Sequence, residues 1–268
     1  MTTRLAYPTD LNDAEWNRLI HLVPVPLPGG RPPKYDRREI LNAILYLLRA
    51  GCAWRLLPHD LPPWRIVYHY FRTWRKDQTW ERLHDQLRDE VREAEGRAAQ
   101  PSAAILDAQS VKTADQSGER GYDAGKQVNG RKRHVLVDTL GLLLVVIVHA
   151  AKIQDREGAK LVLASLKTNF KRLRLIWADG NYSGKLIEWV RAVRKWGKVK
   201  LEIVERREGA RGFEVLPRRW VVERTFGWLM KCRRLSKDYE QLTQTSEAMI
   251  RVAMIGLMVR RLARRSTF

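Results

Sequence analysis

The chain has 268 residues, of which 44% are hydrophobic, so it is long enough to bury a sizeable core in one large domain or two ordinary ones. Its formal net charge of +20 indicates a polyanionic partner, and nucleic acid fits better than an anionic membrane because no stretch reaches the roughly 18 apolar residues of a membrane span. The N-terminus lacks the apolar segment of a signal peptide and the two cysteines have no ligand-type spacing, so we expect a cytoplasmic protein without a zinc knuckle or a disulfide framework.

Residues 1–97 predict a domain made only of helices, in an order that resembles a helix-turn-helix arrangement. Apolar residues between Asp36 and Gly51 recur every 3.6 residues, and a turn over 51–58 precedes the next helix. In that next helix, four side chains lie on the face opposite an apolar stripe: Arg65, His69, Arg72 and Lys76. This basic face could enter a DNA groove, or it could be the solvated face of a packed helix.

Residues 94–102 are small and polar and contain a proline, so they predict a domain boundary, with a second domain over 101–268. The predicted elements of this domain are a strand at 102–112, a hairpin at 131–150, a helix at 155–170, a strand at 173–178, a helix at 184–196, a strand at 198–204, and helices at 217–234 and 244–265. This order predicts an α/β fold with a mixed sheet and helices packed on it. The last helix is apolar on nearly all sides, which indicates that it is buried or packs on a partner subunit.

Three acids have unusual surroundings. Asp107 lies inside the first strand, where an isolated carboxylate is costly to bury without a partner or a metal ion. Asp179 ends the fourth strand, which should lie beside the first, although this acid could also serve only to shape a turn. Glu223 lies in a helix rich in cations and aromatic residues, with Gly227 one turn later, which leaves room beside the carboxylate.

The chemistry that uses three such acids is phosphoryl transfer by two Mg²⁺ or Mn²⁺ ions held about 3.5–4 Å apart by carboxylate oxygens. Cations near Glu223 could bind phosphates, or they could be ordinary helix-surface charge: Arg218, Arg219, Arg224 and Lys231. A second basic run could contact a DNA backbone, or it could be a solvated loop: Lys126, Arg131, Lys132 and Arg133.

Four further polar residues have structural interpretations. Asp138 should shape the turn of the hairpin, and Asp155 should cap the helix that follows. His134 and His149 lack companions of the kind that ligate metals, so we expect both to have structural roles.

At these residues the sequence resembles the bacterial insertion-sequence transposases of the insertion sequence 5 family. The resemblance is carried by "ILDAQSVKT", "GYDAGKQVNGRKRHVLVDTLGL", "WADGNYSG" and "RRWVVERTFGWLMKCRRLSKDYE", together with two N-terminal stretches, and it covers nearly the whole chain. It implies an RNase H-like DDE catalytic domain in which Asp107, Asp179 and Glu223 bind two metal ions. The interval of 44 positions between the last two acids leaves room only for a small insertion at about 199–216.

The family's glutamate helix carries a Tyr-x2-Arg-x3-Glu-x6-Lys pattern, which this chain matches only in part. Arg219 and Glu223 fit, but Leu216 stands at the tyrosine position and Met230 at the lysine position. Lys231 comes one residue late, about 80° from the face of Glu223 on an α-helix with 100° steps.

The resemblance implies an enzyme that recognises the terminal inverted repeats of its element, cleaves at the ends and joins the 3′-hydroxyls to target DNA. It also implies a homodimer or a larger assembly on double-stranded DNA, with no membrane partner. Two alternatives stay open, namely a catalytically silent DNA-binding protein derived from a transposase and an RNase H-like nuclease without integration activity.

Overall fold

The computed structural model describes residues 4–25, 29, 34–115, 118–166, 170–192, 199–204 and 217–265, and every structural statement below concerns these residues. By their contacts they form two compact units. The helical unit takes its residues from Met1–Glu95, Lys231–Ser236 and Ala248–Phe268, and the sheet unit takes its residues from Gly96–Met230 and Lys237–Glu247. The helical unit is therefore assembled from three separate stretches of the chain.

The helical unit contains α1 (Asp13–Leu19), α2 (Arg37–Ala50), α3 (Trp64–Lys76), α4 (Thr79–Ala94) and, from Ala248 onward, α8 (Thr243–Arg265). Asn12 begins α1 with a capping box, in which its side chain accepts a hydrogen bond from the backbone N–H of Glu15 at 2.8 Å. Gly51 ends α2 with φ at 77°, and a Cβ there would lie 2.8 Å from the Cβ of Arg233. A glycine is thus required both by the backbone and by the close neighbour.

Helix α8 is buried within the helical unit. Its inward residues are Met249, Ile250, Met254, Met258 and Leu262. A Cβ at Gly256 would lie 3.1 Å from Leu45 Cδ2, so α8 packs closely on α2. The units therefore differ in extent from the predicted domains, 1–97 and 101–268, because most of α8 groups with the N-terminal helices through its apolar side chains.

The sheet unit contains six strands: β1 (Ala103–Lys112), β2 (Gly121–Asp123), β3 (Val128–Asp138), β4 (Leu143–Ala150), β5 (Leu175–Ala178) and β6 (Lys200–Ile203). Their order is β2-β3-β1-β5-β6, with β4 also paired to β3. Strand β3 runs antiparallel to β1, β2 and β4, whereas β1, β5 and β6 run parallel. With the helical N-terminal region, this mixed sheet confirms the predicted RNase H-like α/β fold class.

Three helices accompany the sheet: α5 (Asp155–Ser165), α6 (Lys185–Ala192) and α7 (Pro217–Met230). An apolar core joins the sheet to α5 and α6, and its members include Leu106, Leu136, Val162, Leu163, Ile176 and Leu186. Alternate residues of each strand and one face of each helix supply this core, as their hydrophobic periodicities require. Burying each such side chain contributes about 1.5–3 kcal/mol. Helix α7 packs against β1 and β5.

Three features of the sheet unit differ from the expectation. Strand β2 was not expected, since three residues are too short for a recognisable alternation. Residues 200–203 are not part of an insertion, because they pair parallel with β5 and form the edge strand β6. The rest of the expected insertion, 205–216, lies outside the described residues, as do 167–169 and 193–198 at the predicted ends of α5 and α6. Helix α7 ends at Met230, and a separate 3₁₀ turn follows at Arg233–Leu235.

Candidate active site

The candidate site lies where β1 and β5 part. Their pairing ends with Ile105 opposite Trp177, after which β1 continues to Lys112 and β5 stops at Ala178. Asp107 and Asp179 each lie two residues beyond that last pair. Because the carboxyl ends of parallel neighbours meet at the same edge of a sheet, the two acids are brought close to each other at this opening.

Asp107 is a half-buried carboxylate in the middle of β1. Its Oδ1 accepts a hydrogen bond from the backbone N–H of Ala108 at 2.7 Å. Burial, and to a smaller extent the negative charge of Asp179, raise the pKa of Asp107 to about 6, although the Ala108 hydrogen bond and the positive charges of Arg219 and Lys126 act in the opposite direction.

Asp179 serves both as a site acid and as a turn residue. Its Oδ1 accepts a hydrogen bond from the backbone N–H of Asn181 at 3.0 Å and so caps the 3₁₀ turn Gly180–Tyr182. Its Oδ2 lies 3.5 Å from the guanidinium of Arg219. One carboxylate oxygen fixes the backbone while the other faces the site, so the turn and the site are compatible uses of the same side chain.

Tyr182 anchors this turn through a buried chain of hydrogen bonds that the sequence did not reveal. The chain links the Tyr182 hydroxyl to His134 Nε2 at 2.8 Å, His134 Nδ1 to His149 Nε2 at 3.0 Å, and His149 Nδ1 to the carbonyl oxygen of Ala150 at 3.0 Å. Burial lowers the pKa of both histidines, so each ring is neutral near pH 7 and has one N–H to donate. A Cβ at Gly158 would lie 2.4 Å from His134 Nδ1, so α5 can pack here only with glycine. Both histidines have the structural surroundings expected of them.

Helix α7 supplies the third acid. Glu223 is half-exposed, and its Oε1 lies 3.8 Å from the guanidinium of Arg219, one turn earlier on the same helix. Since Arg219 also contacts Asp179, its charge connects two of the three acids and acts on the third, Asp107. A Cβ at Gly227 would meet no atom of the described residues within 4 Å, so none of the described residues fills the space beside this position of α7.

The donor atoms of this site suit a hard divalent cation, since carboxylate oxygens are the ligands that Mg²⁺ and Mn²⁺ prefer. Within the part of the chain that the structure describes, no three His, Cys, Asp or Glu side chains are grouped closely enough to hold a metal ion. A guanidinium, that of Arg219, lies between Asp179 and Glu223 instead.

The other cations of α7 lie at the surface and are engaged locally. Arg218 donates to Glu202 at 3.0 Å and stacks over Trp177 at 4.7 Å from the ring centroid. Arg224 donates to the carbonyl oxygen of Leu140 at 3.0 Å and lies 4.8 Å from the ring centroids of both Trp220 and Trp228. Lys231 follows the last residue of α7 and groups with the helical unit.

Three cations predicted to contact DNA are buried instead, which corrects the expectation for them: Arg131, Lys132 and Arg133. They lie on β3, which has a strand on each side and is covered on both faces. Lys126 differs, because it lies in the exposed turn before β3.

The buried cations have partners within the sheet unit. Arg131 contacts Asp238 at 3.1 Å and donates to the carbonyl oxygens of Glu240 and Gln241, both at 2.7 Å. Arg133 donates to the carbonyl oxygen of Lys237 at 3.2 Å, and burial lowers its pKa to about 10.

Two acids with predicted local roles have different outcomes. Asp138 shapes the hairpin turn, as expected, by accepting hydrogen bonds from the backbone N–H groups of Leu140 and Leu142 at 2.9 and 2.8 Å. Asp155 does not cap α5, because Gln154 occupies the N-cap position. Its carboxylate lies 2.8 Å from Lys132 Nζ, so this acid balances a buried cation.

On α3 the four predicted cationic side chains are all exposed, opposite the buried Val67, Phe71 and Trp74: Arg65, His69, Arg72 and Lys76. The guanidinium groups of Arg55 and Arg65 each lie 5.5 Å from the ring centroid of Trp64. Arg55 therefore belongs to the same surface, although it precedes the helix and no periodicity marks it.

Comparisons with known proteins identify the class of protein to which this chain belongs. Residues 98–258, more than half of the chain, match the family model for the transposase DDE domain, and residues 11–84 match a model for transposases of the IS4/5 family. The chain belongs to the insertion-sequence transposases with a DDE domain.

Two relatives extend this result. Over 106 residues the chain is 32% identical to a 16.2 kDa protein of the insertion element IS402 from Burkholderia cepacia. The aligned segment covers 35% of this chain and 71% of that protein. Over 64 residues the chain is 36% identical to protein y4sN of Sinorhizobium fredii strain NGR234, which covers 24% of this chain and 51% of y4sN. The chain thus spans about half the length of y4sN. Among the described helices, none combines the length and the apolar character that crossing a bilayer requires.

A first prediction concerns Arg131. Arg131→Met should lower the free energy of unfolding by about 3–5 kcal/mol, because it leaves the carboxylate of Asp238 buried beside fewer cations. Urea unfolding measures this decrease. Arg172→Met, at an exposed arginine of the same unit, should change stability by less than about 0.5 kcal/mol. A stable Arg131→Met protein with weakened DNA binding would contradict the structural role.

A second prediction concerns Asp107. The pKa of this acid is raised from 3.8 to about 6, so the folded state holds the proton more tightly than the unfolded state. Proton binding by Asp107 therefore favours the folded state at low pH, and this stabilisation is lost as the pH rises through about 6. Without divalent metal at pH 7.5, Asp107→Asn should therefore be more stable than the wild type by up to about 3 kcal/mol. The difference should shrink below pH 4, and Mg²⁺ should raise the melting temperature of the wild type more than that of the variant.

Thermal unfolding across pH 4 to 8 provides the measurement. Asp115→Asn, at an exposed acid of the same unit, is the matched control and should leave the pH profile unchanged. A stability difference for Asp107→Asn that is the same at every pH would show that burial does not perturb this carboxylate.

Proposed function

We propose that the protein is a DNA transposase that binds the terminal inverted repeats of an insertion sequence, cleaves at the ends and joins the freed 3′-hydroxyls to target DNA. The observation that supports this proposal is that Arg219 contacts both Asp179 and Glu223, and that its charge also acts on Asp107, at the opening between β1 and β5 in a chain with a transposase DDE domain. The formal net charge of +20 supports a DNA substrate. Because two ends must be processed together, the proposal includes a homodimer or a larger assembly on DNA.

We infer that Asp107, Asp179 and Glu223 would hold two Mg²⁺ or Mn²⁺ ions. Two features support this inference: the carboxylate donor set and the raised pKa of Asp107. When bound, such a pair of ions supplies activation of the attacking oxygen and stabilisation of the leaving oxygen.

The chain's own residues position the acids for this chemistry. Strand β1 holds Asp107 between paired neighbours, and the Tyr182–His134 hydrogen bond holds the turn that carries Asp179. Arg219 keeps Asp179 and Glu223 near each other despite their like charge. The space beside Gly227, which none of the described residues fills, gives a DNA strand access to the site.

We also propose that α3 contacts the element's ends through its exposed cationic face. The amphipathic burial of this helix supports the assignment, since Val67, Phe71 and Trp74 fix its orientation. The cation–π pairs on Trp64 extend the basic surface to Arg55. Such a face would give the N-terminal region the helix-turn-helix role that its helices resemble.

The test of catalysis uses acid-to-amide variants. Asp107→Asn and Glu223→Gln should each abolish Mg²⁺-dependent nicking and joining of DNA that carries the element's ends, with a decrease of at least about 10³-fold, because each removes a charged ligand without changing its shape. Gel analysis of end-labelled DNA measures both products. Glu157→Gln, at an exposed acid on α5, should retain full activity.

The products also separate the alternatives. A wild-type protein that binds the ends but cuts nothing in Mg²⁺ or Mn²⁺ would favour a silent DNA-binding protein. Cleavage without joined strand-transfer products would favour a nuclease. If the Asp107→Asn variant still cleaves the DNA, the assignment of the catalytic site is wrong.

The test of the helical unit uses charge removal. The combined change Arg65→Ala, Arg72→Ala and Lys76→Ala should weaken end binding, and it should reduce the slope of log affinity against log salt by about 1 for each phosphate that the variant no longer neutralises. Fluorescence anisotropy at a series of salt concentrations measures the slope.

A matched control removes the same charge elsewhere. The exposed cations Lys171, Arg172 and Arg174 lie in the sheet unit, and changing these three to alanine should reduce the slope less. If both triple variants give the same slope, α3 has no special place in the DNA interface.

A further inference from the structure

Lys126 lies in the turn between β2 and β3, and its ammonium group reaches the strand that carries Asp107. Its Nζ donates a hydrogen bond to the carbonyl oxygen of Ala108 at 2.9 Å. The backbone N–H of the same residue, Ala108, donates to Asp107 Oδ1 at 2.7 Å. A single residue of β1, Ala108, thus contacts both the Asp107 carboxylate and the Lys126 ammonium.

The turn is built in a way that fixes this position. Asp123 Oδ1 accepts a hydrogen bond from the backbone N–H of Lys126 at 3.2 Å, and its Oδ2 accepts one from the hydroxyl of Ser110 at 2.6 Å. Gln127 completes the turn in the left-handed region with φ at 52°, which residues other than glycine seldom adopt. Ser110 is three residues after Asp107 on β1, so the turn is fastened to the strand of the candidate site.

Asp123, which anchors this turn, is stabilised in its negatively charged form. Burial would raise the pKa of Asp123, but the hydrogen bonds from Ser110 and Lys126 and the charge of Lys132, 3.4 Å away, hold that pKa below its ordinary value. Lys132 is buried between Asp123 and Asp155 and is fully used within the protein. Lys126 is exposed, and among the described residues its ammonium contacts only the Ala108 carbonyl, which leaves two N–H donors for a ligand.

A phosphodiester at the opening between β1 and β5 would need a cation such as this ammonium. Arg219 is already engaged by Asp179 and Glu223, and α7 contains no lysine over Pro217–Met230. A phosphodiester that approaches three carboxylates needs compensating positive charge on its non-bridging oxygens.

We propose that Lys126 is a further catalytic residue, whose ammonium binds a non-bridging oxygen of the DNA phosphate that is cleaved. This proposal rests on the proposed function and assigns to the β2–β3 turn a direct contact with the reacting group. Ser110 and Asp123 are positioning residues, because they act through the conformation of the turn.

The test is a binding cycle that requires no catalysis. Element-end DNA is prepared with an ordinary phosphate or with an uncharged methylphosphonate at the cleavage position, and affinity is measured in EDTA by anisotropy. The wild type should bind the methylphosphonate DNA about 5-fold to 20-fold more weakly, as expected when one charge-assisted hydrogen bond is removed. Lys126→Met should bind ordinary DNA correspondingly weakly and show no further weakening with the methylphosphonate, whereas Lys126→Arg should recover most of the wild-type difference.

Matched variants separate this interaction from general charge effects. Lys171→Met, at an exposed lysine of the same unit, should keep the full sensitivity to the methylphosphonate. Ser110→Ala should reduce the sensitivity partially, because it loosens Asp123 and the turn. Thermal unfolding verifies that each variant is folded, and Lys126→Gln serves if the methionine variant is not.

Additive effects of Lys126→Met and the methylphosphonate would overturn the proposal. Cleavage assays with the same DNA in Mg²⁺ distinguish this outcome from a failure of the proposed function. Lys126→Met should slow cleavage about 10²-fold at saturating DNA. A wild type that cleaves in an Asp107-dependent manner while Lys126→Met cleaves equally fast rejects the role of Lys126 and leaves the transposase intact, whereas a wild type that never cleaves rejects the function itself.

Discussion

A carboxylate held half-buried inside a β-strand requires nearby positive charge, and Asp107 imposes this requirement on the sheet unit. Two elements that are distant in sequence supply this positive charge. Helix α7 brings Arg219 against the opening between β1 and β5, and the β2–β3 turn brings Lys126 to the carbonyl oxygen of Ala108, the residue that follows Asp107. Both cations lower the pKa of Asp107, whereas burial and the charge of Asp179 keep it above its ordinary value.

The positions of Asp107 and Asp179 on neighbouring strands could be predicted from the sequence because their signals are local. A carboxylate inside an apolar strand and another at the end of an apolar strand are both visible in a few residues, and the right-handed crossover between the strands predicts that the acids meet. The hairpin from β3 to β4 and the helices of the N-terminal region follow in the same way from periodicity. These parts of the fold depend on patterns shorter than about fifteen residues.

The buried cations could not be predicted, because what buries them is remote. A run such as "GRKRH" has the composition of a solvated surface. Arg131 nevertheless forms an ion pair with Asp238, more than a hundred positions later, and donates hydrogen bonds to backbone carbonyl oxygens, and composition predicts neither contact. The same distance explains why α8 was expected in the second domain, since its apolar residues pack beside α2 from the other end of the sequence. The contact of Lys126 with Ala108 and the role of Tyr182 could not be predicted either, because they depend on a left-handed turn and on a paired histidine.

The discontinuous make-up of the helical unit has a consequence for biosynthesis. Helices α1 to α4 are translated first, but α8, which packs closely on α2, comes last of the helices in this unit. The sheet unit emerges from the ribosome in between, so it can begin to fold while the first helices still expose surface that binds chaperones. Messages truncated before α8 would therefore yield chains that misassemble, and only a full-length product would acquire a finished helical unit.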